Sequence, residues 1–347
     1  MGANDTKHKY PLPSEASLSI IIPAYNSEKW IGDTLEHLGR SLKNSTWRKI
    51  EIIVVDDGST DKTAENAQQT NIGIPIRIIR QKNSGRLLAR ENGLKSAGGD
   101  YVLLLDSRIY TAPGSFKYLQ SQINKNREAI VWNGHINMDR RGNPFARFWY
   151  TITFLAWRRY MKTPRLTSYG EKDYDYYPKG TTGFFAPKDF LLEAYKNFTT
   201  NYSDSKNAND DTSLIRYITK LSDIHISPDY AFTYVSRSSL RAFIPHTLHR
   251  GIVFIDGHFH RGSRYFYACL LYLILVPVVL FLVILNPVLL LLLIPLLIFI
   301  FAFAKILGTE TADAAALAYV MPLFAVFYTA GFYKGLYLRV INHSNKP

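Results

Sequence analysis

The sequence contains a single cysteine, Cys269, among 347 residues, so an intramolecular disulfide is excluded. Because Cys269 stands inside an apolar run, we interpret it as a small buried hydrophobic side chain. Charged residues make up only 20% of the chain and hydrophobic residues 47%, a composition that excludes an intrinsically disordered protein. The length suits one large domain or two units.

Charge is also missing locally, since no Asp, Glu, Lys or Arg occurs from Tyr265 to Ala304. This stretch is about twice the roughly 20 apolar residues that cross a bilayer, and core helices are shorter and less uniformly apolar. We expect two or three membrane spans, at about residues 265–285, 287–305 and 314–333. Asn286-Pro287 would be the turn between the first two.

The sequence leaves the topology of the third segment open. A third span would place Lys334, Arg339 and Lys346 on the far side, against the positive-inside tendency. A re-entrant or interfacial segment would remove this conflict. Residues 1–17 are polar and lack the apolar centre of a signal peptide, so we expect the front of a multi-pass membrane protein to face the cytoplasm.

Basic residues outnumber acidic residues, 41 to 28, which gives a formal net charge of +13. Such an excess suits either nucleic acid or an anionic membrane surface. With spans present we expect membrane lipid as the partner, because basic residues beside spans are attracted to anionic lipid. The sequence has no zinc-ligand spacing, helix-turn-helix signal or RNA-binding aromatic signature, so we expect no nucleic-acid partner.

Apolar runs alternate with helical patterns in the first part of the chain. The runs are residues 18–22, 50–55, 74–79 and 101–105. This alternation predicts βαβ units and an α/β fold with a parallel sheet. Ligands bind beyond the carboxyl ends of such strands. Acidic residues stand there, with Asp56 and Asp57 after the second run and Asp106 after the fourth.

The later part of the chain holds three further features. Aromatic and basic residues interleave between 140 and 165, which is typical of an interfacial helix or of a core helix with a basic face. Residues 180–185 predict a loop and a strand. Asp210 and Asp211 precede a predicted helix at 213–220.

Each acidic motif admits a structural and a functional interpretation. Asp56-Asp57 fits either a capping loop or a ligand site for base and ribose groups. Asp106 could serve a ligand or form a salt bridge with Arg108 or another arginine. Asp210-Asp211 could stabilise a helix N-terminus, or act as a general base whose pKa is raised by the neighbouring carboxylate.

Taken in order, four motifs resemble the family 2 glycosyltransferases. They are Ile-Ile-Ile-Pro-Ala-Tyr-Asn-Ser-Glu (20–28), Ile-Ile-Val-Val-Asp-Asp-Gly-Ser-Thr-Asp (52–61), Gly-Arg-Leu-Leu-Ala-Arg-Glu-Asn-Gly (85–93) and Gly-Gly-Asp-Tyr-Val-Leu-Leu-Leu-Asp-Ser (98–107). The resemblance is dense from 18 to 108 and looser as far as Asp211. It implies a Rossmann-like GT-A fold, inverting transfer from a UDP- or GDP-sugar, and a divalent cation, Mg²⁺ or Mn²⁺.

The resemblance also implies roles for matching residues. Donor-binding positions would be Pro23, Tyr25, Glu28, Asp56, Asp57, Arg90, Asp106 and Arg108. Asp106 would be the metal ligand, and Asp211 the general base, with Asp210 in place of the family's glutamate. His249 and Arg250 match the Gln-x-x-Arg-Trp region only weakly; they would contact the diphosphate or acceptor, or else belong to a basic membrane-contact segment.

One position departs from the family pattern. The Asp-x-Asp motif reads Asp106-Ser107-Arg108, and an arginine at its third position cannot bind a cation. Arg108 could replace part of the metal's charge at the diphosphate, since guanidinium groups pair with phosphates. Alternatively, the metal is held by Asp106 and the diphosphate, with Arg108 turned away. A third alternative is an inactive site, which the retained Asp57, Asp106 and Asp211 disfavour.

We therefore predict a membrane-bound glycosyltransferase whose acceptor is a hydroxyl of a lipid-linked saccharide or other membrane glycan. A polyprenyl-phosphate sugar synthase and an inactive nucleotide-binding scaffold are the alternatives. The predicted segments are a polar tail (1–17), the GT-A domain (18–235), a basic juxtamembrane segment (236–264), the transmembrane helices (265–333) and a basic tail (334–347).

Overall fold

The computed structural model describes residues 9–43 and 45–344. The beginning of the predicted polar tail and the end of the predicted basic tail lie outside the described residues. The chain divides into two compact units. The first comprises the chain up to Met138, Arg159–Thr199 and Asp210–Val235; the second comprises Asp139–Arg158, Thr200–Asn209 and the chain from Ser236.

The first unit is built on a nine-stranded mixed sheet. The strands are β1 Ser17–Ala24, β2 Lys49–Asp56, β3 Ile76–Arg80, β4 Tyr101–Leu104, β5 Ile109–Thr111, β6 Trp132–Met138, β7 Thr167–Tyr169, β8 Phe184–Pro187 and β9 Ile224–Tyr234. Their order is β3-β2-β1-β4-β8-β6-β9-β5, with β7 also paired to β9. The first four strands are parallel, so the predicted α/β fold is confirmed.

Twelve α-helices and three short 3₁₀ segments occur in the described residues. The α-helices are α1 Ile31–Leu42, α2 Thr63–Gln69, α3 Arg86–Ser96, α4 Ser115–Lys125, α5 Pro144–Ala156, α6 Arg158–Met161, α7 Lys188–Lys196, α8 Asp210–Ile218, α9 Leu240–His258, α10 Phe266–Leu285, α11 Leu293–Ile306 and α12 Thr311–Ser344. The 3₁₀ segments are Tyr174–Tyr176, Ser205–Asn207 and Pro287–Leu292.

The register of β1 with its neighbours brings the functional loops to one edge of the sheet. All eight residues of β1 are buried, as expected for a parallel strand covered on both faces. Ala24 pairs with Asp56 across β1 and β2, and Ile21 pairs with Leu104 across β1 and β4. The segments that follow these strands therefore begin side by side.

Two predicted helices differ from the structure at their first residues. The helical spacing of apolar residues from Ser27 to about Leu42 predicts a helix that starts at Ser27. In the structure α1 begins at Ile31, because the Trp30 and Ile31 N–H groups both donate to the Ser27 carbonyl and form a turn before the helix. The helix predicted at 213–220 begins at Asp210, so both carboxylates stand in its first turn, where the helix dipole favours negative charge.

The second unit is a cluster of helices around α12. Phe148 of α5 and Phe243 of α9 are fully buried against the first half of α12. Ile255, Cys269 and Phe332 form a second buried cluster, in agreement with the interpretation of Cys269 as a buried apolar side chain.

Two segments inside the range 18–235, which the sequence predicts as the GT-A domain, group with the second unit. Residues 139–158 belong there because α5 packs its aromatic face on α12, and residues 200–209 because Asp256 binds both ends of this segment. Asp256 accepts hydrogen bonds from the Asn201 N–H (2.6 Å) and the Asn209 N–H (2.7 Å). The predicted juxtamembrane segment is mostly the helix α9.

Three segments of the second unit are long and apolar enough to cross a membrane. They are Phe266–Leu285, Pro287–Ile306 and Thr311–Asn342, with mean hydropathies of 3.1, 3.0 and 1.7. Only 6% of the most apolar window is buried in each of the first two, against 28% in the third. The third segment therefore packs more extensively on the rest of its unit than the first two do.

Candidate active site

Asp106 follows β4 at the carboxyl edge of the parallel strands. Its backbone N–H donates to the Thr182 hydroxyl at 3.0 Å. The N–H of Gly183 donates to the Leu104 carbonyl at 2.8 Å, which fixes this loop beside β4. The Asp106 side chain is 23% exposed, so the carboxylate can still be reached by a ligand.

Arg90 of α3 binds two carboxylates at once. Its Nη2 donates to Asp106 Oδ1 at 2.5 Å, and its Nη1 to Asp210 Oδ2 at 2.5 Å and to the Thr181 hydroxyl. Burial works to lower the pKa of Arg90, but the charges of Asp106 and Asp210 outweigh it, so the pKa is raised. Arg90 therefore stays cationic and ties the end of β4 to the start of α8.

Arg86 stands one helical turn before Arg90 and binds the same partner. Its Nη2 donates to Asp210 Oδ1 at 3.0 Å, and the charge of Asp210 raises the pKa of Arg86 well above its usual value. Asp210, whose side chain is 3% exposed, thus accepts a guanidinium on each oxygen. The sequence predicted repulsion between the neighbouring carboxylates of Asp210 and Asp211. The positive charges of Arg86 and Arg90 counter this repulsion.

Asp211 stands beside Asp210 but accepts hydrogen bonds from a residue of the 180–183 loop. Its Oδ1 accepts the Thr181 N–H at 2.8 Å and the Thr181 hydroxyl. Because that hydroxyl also accepts from Arg90, the two acidic motifs and α3 form one connected set. We call this set the Arg90 network; its members are Arg86, Arg90, Asp106, Thr181, Asp210 and Asp211.

Asp57 organises the loop that leads into α3. Its Oδ1 accepts from Gln81 Nε2 and from the Ser84 N–H, and its Oδ2 from the Gly85 N–H, each at 2.8 Å. Gly85 has φ +91°, a left-handed conformation that glycine adopts without strain. Asp57 therefore has a structural role in orienting α3, and any contact with a nucleotide base would be additional to it.

The other predicted nucleoside residues lie near the ends of β1 and β2. Asp56 Oδ1 accepts the Ser59 N–H at 3.0 Å, as in a capping loop. Pro23 is buried within β1, whereas Tyr25 is 50% exposed beyond it. Of these residues, Tyr25 presents the largest free surface to a ligand.

Glu28 lies slightly apart from this group. Its Oε2 accepts the Lys62 N–H at 3.0 Å, and its backbone carbonyl accepts from Asn66 Nδ2. It lines a shallow hollow of about 410 Å³ together with Asp33 and Asn66. This hollow carries acidic side chains, so it does not suit an anionic diphosphate, and we place the candidate site at the Arg90 network instead.

Comparison with known proteins agrees with this geometry. Residues 19–187 match the family described as Glycosyl transferase family 2, and the matched range contains β1–β4 and α3. Residues 19–187 form a family 2 glycosyltransferase domain.

Two curated relatives illustrate how far the likeness extends. YibD of Escherichia coli, described as an uncharacterized glycosyltransferase, is 36% identical over 31% of this chain and 30% of its own length. Glycosyltransferase GlyG of Streptococcus pneumoniae is 24% identical over 64% of this chain and 71% of its own. The match to YibD thus spans about a third of that relative.

A solved structure shares the fold of the glycosyltransferase domain. The crystal structure of S. aureus TarS 1–349 in complex with UDP-GlcNAc aligns with a TM-score of 0.50 and 18% identity, covering 94% of this chain and 91% of that chain. The GT-A fold class implied by the sequence resemblance is confirmed.

Arg108 of the glycosyltransferase domain stacks on aromatic rings. Its guanidinium carbon lies 4.0 Å from the centre of the Trp30 ring and 5.9 Å from that of Tyr234. The Asp106 carboxylate pairs with Arg90. The role of Arg108 at the diphosphate stays a prediction.

GT-A enzymes of family 2 commonly use a divalent metal, and the donor set here fits one only in part. Among residues 9–43 and 45–344, no three His, Cys, Asp or Glu side chains are grouped to hold an ion. Asp106 offers a carboxylate, one oxygen of which pairs with Arg90. Since Mg²⁺ is often bound by one carboxylate with phosphate oxygens and water, Asp106 could supply one ligand beside a donor diphosphate.

His249 and Arg250 belong to α9 in the second unit. Arg250 is exposed, and its Nε donates to His246 Nε2 at 3.4 Å. His246 in turn packs edge-on against Trp149 at 5.0 Å between ring centres. The role of His249 and Arg250 at the diphosphate or acceptor stays a prediction.

Sequence reasoning missed three residues of the site. Arg86 could have been found, because it stands four residues before Arg90 and shares its helix face. Thr181 had no readable signal beyond its small-residue loop. Trp30 looked like an apolar helix position, whereas it caps α1 and carries the Arg108 guanidinium.

Proposed function

We propose that this chain is a membrane-bound, inverting glycosyltransferase that moves a sugar from a nucleotide-sugar donor to an acceptor hydroxyl at the cytoplasmic membrane face. The observation that carries the proposal is the Arg90 network, which joins Asp106 of the family 2 domain to Asp210 and Asp211, which follow the matched range 19–187. A carboxylate pair beside two guanidinium groups offers both a proton acceptor and positive charge for a leaving diphosphate.

In this mechanism Asp211 is the general base. Both oxygens of Asp210 accept hydrogen bonds from arginines, so its function is to hold Arg86 and Arg90 in place. Asp211 is less buried and has Oδ1 held by Thr181, which orients the carboxylate. Asp211 would take the proton of the acceptor hydroxyl as its oxygen attacks the anomeric carbon from the face opposite the diphosphate.

Arg86 would be the main protein cation at the diphosphate. Its side chain is 45% exposed although its guanidinium is paired, so it can serve Asp210 and a bound anion together. Asp106 would hold a Mg²⁺ or Mn²⁺ ion, whose positive charge would add to that of Arg86 in neutralising the diphosphate. The metal would supply further electrostatic stabilisation of the leaving group.

A UDP-sugar is the first donor to test, because the TarS structure with a matching fold contains UDP-GlcNAc. For the acceptor we favour a hydroxyl of a lipid-linked saccharide. A polyprenyl phosphate is already ionised and needs no base, whereas this site retains a held carboxylate at Asp211. The three apolar segments would keep the domain where such an acceptor lies, which supplies proximity.

The test measures the release of UDP or GDP by the detergent-purified protein. A panel of UDP- and GDP-sugars is supplied together with membrane lipid extract and with Mn²⁺, Mg²⁺ or EDTA. We expect release that depends on the lipid extract and falls with EDTA. The control is Asp139→Asn, at an exposed carboxylate that pairs with Arg141. Nucleotide binding without release by any donor would contradict the proposal and favour an inactive scaffold.

Two outcomes refine the proposal. Release that survives EDTA would mean that Arg86 and Arg90 suffice at the diphosphate. Transfer to a purified polyprenyl phosphate that is unaffected by Asp211→Asn would show that the acceptor is the phosphate, and the hydroxyl proposal would then be wrong.

A further inference from the structure

We propose that α10 and the segment Pro287–Ile306 cross the bilayer as a two-span hairpin, whereas α12 lies in the membrane interface on the same side as the glycosyltransferase domain. In this arrangement α5, α9 and α12 form a layer that we call the platform. The inference concerns topology; it goes beyond the proposed function and does not depend on sugar transfer.

The two segments of the hairpin carry apolar side chains on nearly all of their exposed surface. Of their most apolar windows, 94% of the residues are not buried. Each segment has 20 residues. At 1.5 Å per residue a 20-residue helix is about 30 Å long, which matches the hydrocarbon core of a bilayer. With no charged residue from Tyr265 to Ala304, lipid is the occupant that fits this surface.

The third segment, α12, is partly covered by helices that carry charge. The backbone of α9 lies so close to α12 that a Cβ on Gly331 would stand 1.9 Å from the Leu248 carbonyl oxygen. On α5, the Phe148 ring lies 5.0 Å from the Phe324 ring of α12. Because of these close contacts, α5, α9 and α12 must take the same position relative to the bilayer.

Charges on the platform argue against its crossing the bilayer. Arg250 and Asp256 lie on α9 near Gly251, which packs against the backbone of Tyr328 and Phe332 in the middle of α12. A crossing α12 would draw these residues toward the hydrocarbon, where one Arg or Asp at the centre costs about 2.5–3.5 kcal/mol on insertion scales. In the interface the same charges reach water and lipid headgroups.

Basic residues flank both ends of the hairpin. Arg261 and Arg264 are exposed just before α10. At the other end Lys305 donates to the Thr309 carbonyl, and Arg158 donates to the Leu307 carbonyl at 2.8 Å. The positive-inside tendency therefore places both ends on one side and the uncharged turn at Asn286-Pro287 on the other.

The start of α12 is held at this basic end. Asp313, which is 1% exposed, pairs with Arg147 at 2.8 Å and with Arg140. If α12 continues in the interface from this point, Lys334 and Arg339 stay on the side of the other basic residues. The conflict that three spans would create with the positive-inside tendency then disappears.

The test is the sidedness of single cysteines in full-length protein. In a Cys269→Ala background, Leu166→Cys marks the glycosyltransferase domain, Asn286→Cys the hairpin turn, and Lys346→Cys the basic tail. Sealed membrane vesicles are treated with a membrane-impermeant maleimide, and detergent then reveals the total thiol. We expect the thiols at 166 and 346 to react from one side and the thiol at 286 only from the other.

Each other result overturns the proposal. If the thiol at 346 reacts from the side opposite to 166, then α12 crosses the bilayer. If the thiol at 286 reacts from the same side as 166, the hairpin does not cross. Release of the unlabelled protein from membranes by alkaline carbonate would show that no segment spans the bilayer. Donor turnover, measured separately, reports on the proposed function and is unaffected by these outcomes.

Discussion

Arg90 is the residue on which the candidate site depends most. One buried guanidinium joins Asp106 at the end of β4 to Asp210 at the start of α8, and no single lysine ammonium has the forked geometry to do both. Removing one partner from such a buried pair leaves the other charges uncompensated. The ion pairs of Arg90 therefore both hold the site together and set its charge.

We predict that Arg90→Lys destabilises the glycosyltransferase domain by about 1–3 kcal/mol, because a lysine ammonium keeps the charge but leaves one of the two carboxylates without its hydrogen bond. Chemical unfolding of the detergent-purified protein measures this change. Arg141→Lys is the matched control, because that side chain is 90% exposed and pairs only locally with Asp139. Equal stability of Arg90→Lys and wild type would contradict the role assigned to the network.

The neighbouring carboxylates separate chemistry from architecture. We predict that Asp211→Asn lowers kcat by about 10²–10⁴-fold, the usual range for loss of a general base, with the donor KM little changed. The melting temperature should hold, because an amide oxygen still accepts from Thr181. Asp210→Asn should instead lower the melting temperature, since Arg86 and Arg90 lose their shared charge partner. The reverse pattern would exchange the two roles.

At the scale of elements, the sequence predicted the four parallel strands to within two residues at either end. The residues of β1 and β4 are all buried, and so are the last five of β2, so hydropathy alone marks these strands. The edge strand β3 is only partly buried, and its alternation of Ile and Arg still keeps an apolar pattern. It could not predict that α8 begins at Asp210, because the charges that favour this start come partly from Arg86 and Arg90 on another helix. Partners distant in sequence are invisible to local periodicity.

The junction of β1, β2 and the end of α3 should make the fold sensitive to acid. Burial acts to raise the pKa of Glu51, but hydrogen bonds from the Ser19 hydroxyl and the Gly98 N–H, both 2.6 Å, lower it below its usual 4.5. A depressed folded pKa gives stability that is present above the usual value and lost as pH falls through the folded value.

We therefore predict that the melting temperature of wild type falls more steeply than that of Glu51→Gln between about pH 5 and pH 3. Thermal unfolding of the detergent-purified proteins across this range is the measurement. Parallel curves for the two proteins would show that Glu51 titrates alike in the folded and unfolded states.

The contact of α9 with α12 depends on glycine. We predict that Gly331→Ala destabilises the second unit by about 1–3 kcal/mol, the range for overpacking, because the new Cβ would overlap the Leu248 carbonyl. Gly262→Ala is the control, since its Cβ would meet only the His260 ring at 3.4 Å. Thermal unfolding of both variants tests this, and equal melting temperatures would mean that α9 and α12 separate easily.

For the whole molecule, composition predicted a membrane region but not the make-up of its unit. Residues 139–158 and 200–209 join the C-terminal helices although 41 residues (159–199) lie between these two segments and 26 residues (210–235) lie between the second segment and Ser236. Their membership depends on specific contacts, such as Arg147 with Asp313 and Asn209 with Asp256. Hydropathy averages carry no information about such pairs.

Membrane retention should depend on the hairpin. We predict that Leu275→Asp, near the middle of α10, increases the fraction extracted by alkaline carbonate, because an Asp at a helix centre costs about 2.5–3.5 kcal/mol to insert. Leu166→Asp is the control; Leu166 is 47% exposed, as Leu275 is 46% exposed, but belongs to the first unit. Equal extraction of the two variants would mean that α10 does not enter the hydrocarbon.

The absence of charge between Tyr265 and Ala304 has a consequence for where the protein can reside. Between the basic residues at its two ends, the hairpin has uncharged arms that are each about 30 Å long, so the arms can tilt to match the thickness of the bilayer. Mismatch costs fractions of a kcal/mol per ångström, which is enough to sort proteins between membranes. A thin bilayer would tilt the arms and a thick bilayer would straighten them, so the length of the lipid chains would change the angle at which the hairpin crosses the membrane.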